Sequence, residues 1–201
     1  MNIEKTIENF KKNGYEVSYF KTKKEAAAYL DKEIDNTTVS YGGSMTIKQL
    51  GLFELLGKHN NVVSHWNVPE GKTADEVLRE AMCSEIYLTS ANGVSESGEM
   101  VNIDGTGNRV SATLFGHKKV YFVIGENKIE ENLEKAIWRA RNIASPLNAK
   151  RLFRNTPCAV KGDKCYNCNS PERICRGMVI HFKKMTSSAA EIVIIGESLG
   201  L

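Results

Sequence analysis

Four cysteines lie close together near the end of the sequence. They are Cys158, Cys165, Cys168 and Cys175, with the spacing C-x6-C-x2-C-x6-C. Thiolates bind soft and borderline metal ions, and four of them can close a tetrahedral zinc site or hold an iron–sulfur cluster. One CxxC pair between two long arms is typical of neither a zinc ribbon nor a ferredoxin, so zinc and iron–sulfur both stay open. Inert cysteines or a disulfide pair are the alternative. The fifth cysteine, Cys83, falls on an apolar helical stripe and is predicted to lie in the core.

A glycine-rich turn, Gly42-Gly43-Ser44, separates a predicted strand from a predicted helix. Free backbone N–H groups and the positive end of the helix dipole favour a phosphate or a carboxylate there, and the glycines let a ligand approach the backbone. The sequence is not a Walker A motif. A tight turn in which Ser44 caps the helix is an equally good interpretation.

A second loop combines a carboxylate, an amide and a guanidinium in one short segment. Its G-x-G pattern lacks the third glycine of a dinucleotide fingerprint, so nicotinamide binding is not indicated. Together with Asn92, Lys128 and Arg151, the two turns predict a site for a small anionic metabolite. Basic residues that simply face water are the alternative. The loop residues are Asp104, Gly105, Thr106, Gly107, Asn108 and Arg109.

Glu96 follows a predicted strand, at a position where α/β folds build their sites. As a general base or nucleophile with Asp104 as its partner, it would form a catalytic pair. A hairpin carboxylate that faces water is the alternative. His65 and His117 lack the spacing of a ligand pair and are predicted to be ordinary loop or strand-end residues.

Alternating strands and helices must position these residues. Helices are predicted at the start of the chain, behind the capping residues Thr22, Ser44 and Thr73, and from Leu133 to a stop before Pro146. The predicted strands span residues 15–20, 37–41, 62–66, 85–89, 119–124 and 191–195.

This order of elements predicts an α/β fold with an open, mixed and mainly parallel sheet and helices on both faces, because parallel neighbours need crossovers. A hairpin over residues 94–103 supplies the antiparallel part. The length favours one domain over residues 1–201, with a cysteine-rich insertion at about 155–176.

The composition argues against two classes of protein. The charge balance of 27 Lys+Arg against 24 Asp+Glu is spread along the chain, which does not predict a nucleic-acid binder. No apolar run approaches about 18 residues, and the first residues form a charged amphipathic stretch, so we predict a cytoplasmic protein without membrane insertion. In a reducing compartment, clustered cysteines favour metal over disulfides.

Six segments together resemble a known family. They are SANGVSE (90–96), NIDGTGNRV (102–110), GENKI (125–129), PLNA (146–149), TPC (156–158) with the cysteines that follow, and GESLGL (196–201). This combination is similar to the LUD domain family, proteins of lactate utilisation formerly called DUF162, and to its short cysteine-containing branch. The resemblance implies a fold like that of ribose-5-phosphate isomerase, glucosamine-6-phosphate deaminase and CoA transferases, with ligands at the carboxyl ends of the strands.

The resemblance also implies a part in the oxidation of L-lactate to pyruvate. The chain would be an accessory or redox-linked subunit beside iron–sulfur partner subunits, binding a small anionic metabolite and a metal or iron–sulfur centre. Whether it is itself an enzyme stays open, as does the oligomeric state, a homo-oligomer included. Two alternatives stand beside it: a sugar-phosphate isomerase or CoA-transferase-like enzyme that uses Glu96 and Asp104, and a non-catalytic scaffold.

Overall fold

The chain forms ten strands and nine α-helices in a mostly alternating order, and the computed structural model describes residues 1–201. The strands are β1 (Glu16–Phe20), β2 (Thr38–Tyr41), β3 (Asn61–Val63), β4 (Ile86–Thr89), β5 (Gly93–Ser95), β6 (Met100–Asp104), β7 (Lys119–Gly125), β8 (Ile129–Glu130), β9 (Gly177–His181) and β10 (Ala189–Ile195). The α-helices are α1 (Ile3–Lys12), α2 (Lys23–Glu33), α3 (Met45–Gln49), α4 (Leu52–Leu56), α5 (Ala74–Ala81), α6 (Asn108–Ala112), α7 (Leu133–Arg139), α8 (Ser145–Arg151) and α9 (Pro157–Lys161).

Six strands form one parallel sheet in the order β1-β10-β7-β4-β2-β3. The two longest strands, β7 and β10, lie next to each other near its centre, where Val123 pairs with Val193. Parallel neighbours cannot be joined by tight turns, so the chain crosses over through helices. The predicted α/β fold with a mainly parallel sheet is confirmed.

Successive side chains of the central strands enter two separate cores. Tyr121 and Val123 pack in a cluster with Leu30 of α2, whereas Phe122 and Ile124 pack in a second cluster. The side chains of a strand alternate between the faces of its sheet, so each cluster lies on one face. Helices therefore cover both faces of the sheet, as the nearly continuous apolar run of β7 indicates.

The predicted hairpin forms, but within a second sheet of order β8-β5-β6-β9. Strands β5 and β6 are antiparallel, and Val94 pairs with Met100. Gly93 lies against the backbone of Ala136 in α7, and Val101 packs with Ala136 and Ala140. The hairpin thus packs on this helix and pairs with β8 and β9. The antiparallel pairing that was predicted lies in this second sheet, and the main sheet is parallel throughout.

The prediction that the long helix stops before Pro146 is wrong. Helix α7 passes through a π-helical turn (Ala140–Ala144) into α8, which ends at Arg151. The wider turn lets the backbone N–H of Ser145 bond to the carbonyl of Ala140, to which the Ser145 hydroxyl also donates at 2.8 Å. Pro146 then lies at the start of α8, where its missing N–H is tolerated.

Three other local predictions fail. The single helix expected behind Ser44 is divided into α3 and α4, because Gly51 between them adopts a left-handed conformation with φ of 66°. Cys83 is exposed rather than buried, since α5 ends at Ala81 and Cys83 lies in the turn that follows the helix. Strand β3 ends at Val63, and the residues up to Trp66 leave the sheet.

Candidate functional site

A cleft opens where three neighbouring strands end. The turn after β2 supplies Gly43, the loop after β4 supplies Asn92, and a 3₁₀ turn after β7 supplies Lys128. The carboxyl ends of parallel strands meet at one edge of a sheet, which is why segments distant in sequence converge. We call this region the strand-end cleft. It has an inner part of about 60 Å³ and an outer part of about 230 Å³, which share Gly43, Asn92, Arg109, Ala144, Asn148 and Arg151.

The innermost charged group of the cleft is the ammonium of Lys128. Its side chain is buried, and Nζ donates to the hydroxyls of Thr46 and Ser90, each at 2.8 Å. Burial, with smaller contributions from the positive charges of Arg139 and Arg109, lowers the pKa of Lys128 from 10.5 to about 7. No salt bridge joins this amine to a carboxylate, so only neutral hydroxyls accept from it.

Arg109 is held in a fixed orientation beside this amine. Its guanidinium donates to Asn102 Oδ1 at 2.6 Å, to the carbonyl of Ile103 at 2.5 Å and to Asn92 Oδ1 at 3.3 Å. The carboxylate of Asp104 lies 3.4 Å from its Nε. These bonds use three of the five N–H groups, and Nε faces Asp104, so one Nη1 hydrogen is left for a ligand. A guanidinium anchored in this way keeps a fixed orientation at little entropic cost.

The loop that begins with Asp104 is shaped by its own carboxylate. Asp104 Oδ1 accepts from the backbone N–H of Thr106 at 3.0 Å and of Gly107 at 2.9 Å. A Cβ on Gly105 would lie 2.7 Å from the carbonyl oxygen of Ile174, so only glycine fits there without a shift. Asp104 thus lines the cleft and orients both the loop and Arg109.

Glu96 lies away from the cleft, beneath the start of α1. Its carboxylate accepts from the backbone N–H of Asn2 at 2.7 Å and from Lys5 Nζ at 3.2 Å. The hydrogen bond from Lys5 is the largest of the contacts that lower the pKa of Glu96. The structure therefore does not bring Glu96 and Asp104 together, and Glu96 anchors a helix terminus.

Most of the predicted ligand-binding residues do meet in the cleft. Gly42 is an exception, because it packs behind the cleft wall, where a Cβ would lie 2.6 Å from Tyr87 Oη. Gly107 also lies outside the lining and begins α6 with a φ of 93°. Those that line it are Gly43, Ser44, Asn92, Gly105, Thr106, Asn108, Arg109, Lys128 and Arg151. Ser44 also caps α3, as the alternative interpretation expected.

Other lining residues were not predicted to bind a ligand. They come from the loop after β3, from α8 and the chain after it, and from the cysteine-rich segment. No local pattern marks them, since each approaches the cleft only through the tertiary fold. They are His65, Trp66, Ser145, Asn148, Leu152, Arg154 and Ile174.

Trp66 forms a partition at the mouth of the cleft. Its ring lies 3.3 Å from where a Cβ on Gly43 would be, and the guanidinium of Arg151 is 6.0 Å from the ring centroid. A larger open groove of about 630 Å³ lies on the other side of this ring. The groove is lined by the exposed Lys48 and Glu54 and by the half-buried Arg151, which it shares with the cleft. Only the cleft contains a buried amine, so the cleft is the better candidate site.

The four cysteines of segment 155–176 are free thiols as folded. No three His, Cys, Asp or Glu side chains are grouped so that they could hold a metal ion. The guanidinium of Arg173 donates instead to the carbonyls of Cys168 and Cys175, each at 2.8 Å. Both zinc and iron–sulfur sites need converging thiolates, which would have to come from these four cysteines. The segment forms a wall of the cleft through Ile174.

The fold and the cleft define an α/β protein with a cation-lined site at the carboxyl edge of a parallel sheet. The sequence pattern of the LUD domain matches residues 3–195, and the chain belongs to the LUD domain family. The fold is similar to the crystal structure, at 1.70 Å resolution, of a DUF162 family protein from Deinococcus radiodurans. The two share 10% sequence identity and a TM-score of 0.57 over 96% of each chain, which shows a common fold. No curated protein matches the chain significantly.

None of the helices combines the length and the apolar character needed to cross a membrane.

Proposed function

We propose that this protein of the lactate-utilisation type binds a small anionic metabolite in the strand-end cleft. The main support is Lys128, a buried amine whose only acceptors are two hydroxyls. A buried cation without an anionic partner costs several kcal/mol, and a bound carboxylate would offset that cost. Arg109 and Arg151 line the same cavity, and their positive charges favour a carboxylate there.

The family supports a role in lactate utilisation, and we propose the finer role on that basis. The chain would act in the cytoplasm as an accessory subunit in the oxidation of L-lactate to pyruvate, beside iron–sulfur partner subunits. Both compounds are small carboxylates, which suits the size and charge of the cleft. The contacts of Glu96 favour this binding role over an isomerase or transferase that uses Glu96 with Asp104.

The binding proposal is tested by calorimetric titration with L-lactate, pyruvate and phosphate. We expect Arg151→Met to weaken carboxylate binding by about 10- to 100-fold, because one charge-assisted hydrogen bond contributes about 1.5–3 kcal/mol. Lys150→Met is the matched control, since Lys150 lies on the same helix, is exposed and does not line the cleft. Equal affinities of the two variants, or no binding by the wild type, would contradict the proposal.

Metal binding by segment 155–176 stays a prediction. It would require the thiols of Cys158, Cys165, Cys168 and Cys175 to converge on one metal ion or cluster. Metal and acid-labile sulfide analysis of protein purified without oxygen tests it directly, because a brown protein with both iron and sulfide differs from a colourless one with zinc. Loss of the metal from a Cys165→Ser/Cys168→Ser variant would support the prediction, and absence of zinc, iron and sulfide from the wild type would contradict it.

A further inference from the structure

Lys128 has features that anion binding alone does not require. Its Nζ lies at the inner end of the cleft and is held by two hydroxyls, those of Thr46 and Ser90. An ammonium has three N–H donors, and these two hydrogen bonds use two of them. The third N–H has no acceptor in the protein. A more exposed lysine would attract an anion as well. An amine that reacts with its ligand must in addition be held in a fixed orientation.

The surroundings of Lys128 favour the reactive, neutral form of the amine. Burial and the charges of Arg139 and Arg109 lower its pKa to about 7, so a substantial fraction is uncharged at neutral pH. An unperturbed lysine is almost entirely protonated there and lacks a free lone pair. Burial near other cations is the usual way in which proteins activate a lysine toward carbonyl compounds.

The rest of the inner cleft limits what the amine can meet. Arg109 and Arg151 line it and match a carboxylate, while the amine itself would face the adjoining atom of the same ligand. The volume of about 60 Å³ admits only a few non-hydrogen atoms, and the outer part leaves room for a substituent. A carbonyl carbon next to a carboxylate satisfies both requirements.

We propose that Lys128 forms a reversible imine with the carbonyl carbon of a small 2-oxo acid bound in the strand-end cleft. The proposal rests on the anion-binding function proposed above and assigns its substrate class. Arg109 and Arg151 hold the carboxylate, and the hydroxyls of Thr46 and Ser90 orient the amine.

The reaction balances without an oxidant or reductant. The Nζ lone pair attacks the carbonyl carbon, a C–N bond forms, and the C=O electron pair moves to oxygen, which receives one proton from nitrogen. The resulting carbinolamine loses its hydroxyl together with the second nitrogen proton as water, which leaves a C=N bond. The hydroxyls of Ser90 and Thr46 lie within 2.8 Å of the nitrogen and can relay these protons.

Reductive trapping tests this step. The wild-type protein is incubated with pyruvate and sodium cyanoborohydride, and the adduct is located by intact mass and peptide mapping. We expect one reduced pyruvyl group per chain, on Lys128, at least about tenfold above any other lysine, as the lowered pKa implies. L-lactate, a carboxylate without a carbonyl, should compete for the site without forming an adduct.

Variants sharpen the result. Lys128→Arg keeps the positive charge and should lose the adduct, whereas the matched control Lys135→Arg, at an exposed position on α7, should keep it. Pyruvate binding in calorimetry without an adduct on Lys128, or an adduct spread evenly over surface lysines, would overturn the imine alone. Absence of binding by any of the anions would overturn the proposed function itself. Mapping of the wild type decides the matter even if Lys128→Arg fails to fold.

Discussion

Lys119 begins strand β7 and Lys128 lies in the turn after its other end, and the two side chains have opposite environments. Lys119 begins the strand, and its ammonium lies 2.8 Å from Glu16 and 2.9 Å from Glu191. Burial lowers its pKa, but the bonds to the two carboxylates outweigh burial and hold the pKa above the ordinary value. Lys128 follows the strand, contacts only hydroxyls, and has a pKa of about 7. One residue type thus serves as a structural ion pair at the amino edge and as a reactive site at the carboxyl edge.

The two lysines show that this fold contains an uncompensated charge at the carboxyl edge of the sheet and not at the amino edge. At the amino edge, Glu191 is buried and accepts from Ser18, Tyr29 and Lys119, so every charge has a partner. At the carboxyl edge, cations outnumber acids, and the only acid beside Arg109 is Asp104. Functional sites commonly retain such unfavourable electrostatics, which a ligand then relieves.

The largest effect is expected from breaking the amino-edge pair. Glu191→Gln should destabilise the protein by about 2–4 kcal/mol, because it leaves a partly buried ammonium with one exposed partner. Glu16→Gln, which removes the exposed partner of the same lysine, should cost less than about 1 kcal/mol. Urea denaturation measures both. Equal losses would show that burial of Glu191 does not set the strength of the pair.

The pH dependence of stability should distinguish the two lysines. The folded pKa of Lys128 is about 7 and its ordinary value is 10.5, so between these values the unfolded chain binds more protons and stability rises with pH. Arg109 and Arg139 are the charged groups that add to this shift. Lys128 changes the free energy of unfolding by at most about 1.4 kcal/mol per pH unit. Lys119 acts in the opposite direction, since its stabilisation is lost as pH rises through its raised pKa.

Denaturation of the wild type and Lys128→Met from pH 7 to 10 measures this contribution. The free energy of unfolding of the wild type should rise with pH relative to that of the variant. A wild type and a variant with parallel pH profiles would contradict a lowered pKa for Lys128.

At pH 7, Lys128→Met should leave the protein as stable as the wild type or up to about 2 kcal/mol more stable. Loss of the uncompensated amine favours the folded state, while the hydroxyls of Thr46 and Ser90 lose a partner at about 1 kcal/mol each. The affinity for anions should nevertheless fall sharply, which distinguishes a residue that binds ligand from one that stabilises the fold. Thermal denaturation with and without pyruvate measures both quantities. A loss of stability as large as that of Glu191→Gln would contradict the contrast between the two edges.

The smallest effect is expected at an exposed histidine. His59 bonds to Asp31 and Asp35, each at 2.8 Å, and the bond to Asp31 is the largest cause of its raised pKa. A raised pKa stabilises the fold below the ordinary value of 6.5, and this contribution is lost as pH rises through the folded value. Melting curves of wild type and His59→Asn from pH 5 to 8 test it. The two should converge at the upper end, and a constant difference would exclude a protonation effect.

Part of the site follows from the sequence. The turn at Gly43 comes directly after β2 of the parallel sheet, at the edge where such turns gather. The loop from Asp104 to Arg109 and the loop of Glu96 follow β6 and β5, two antiparallel strands of the second sheet, so they lie at opposite ends of that hairpin. The first loop lines the cleft, whereas the second faces α1. Position after a strand is therefore informative only once the sheet and the direction of that strand are known.

The prediction at Pro146 shows a second limit. A helix end is expected before a proline, whereas the chain continues through a π-helical turn that contacts β6 of the second sheet. There a short-range pattern was outweighed by contacts between distant segments. The convergence of the four thiolates stays a prediction from their spacing, and the fold adds that this segment sets Ile174 against Gly105.

The sequence by itself determined the α/β class, the central apolar strands and the helix starts at Thr22 and Thr73, because periodicity and capping depend on neighbours a few residues away. Only the tertiary structure decided that Lys119 has acidic partners and Lys128 none, and that Trp66 stands at the mouth of the cleft. Those properties depend on groups separated by tens of residues along the chain. Their electrostatic and steric effects exist only once the sheet is assembled.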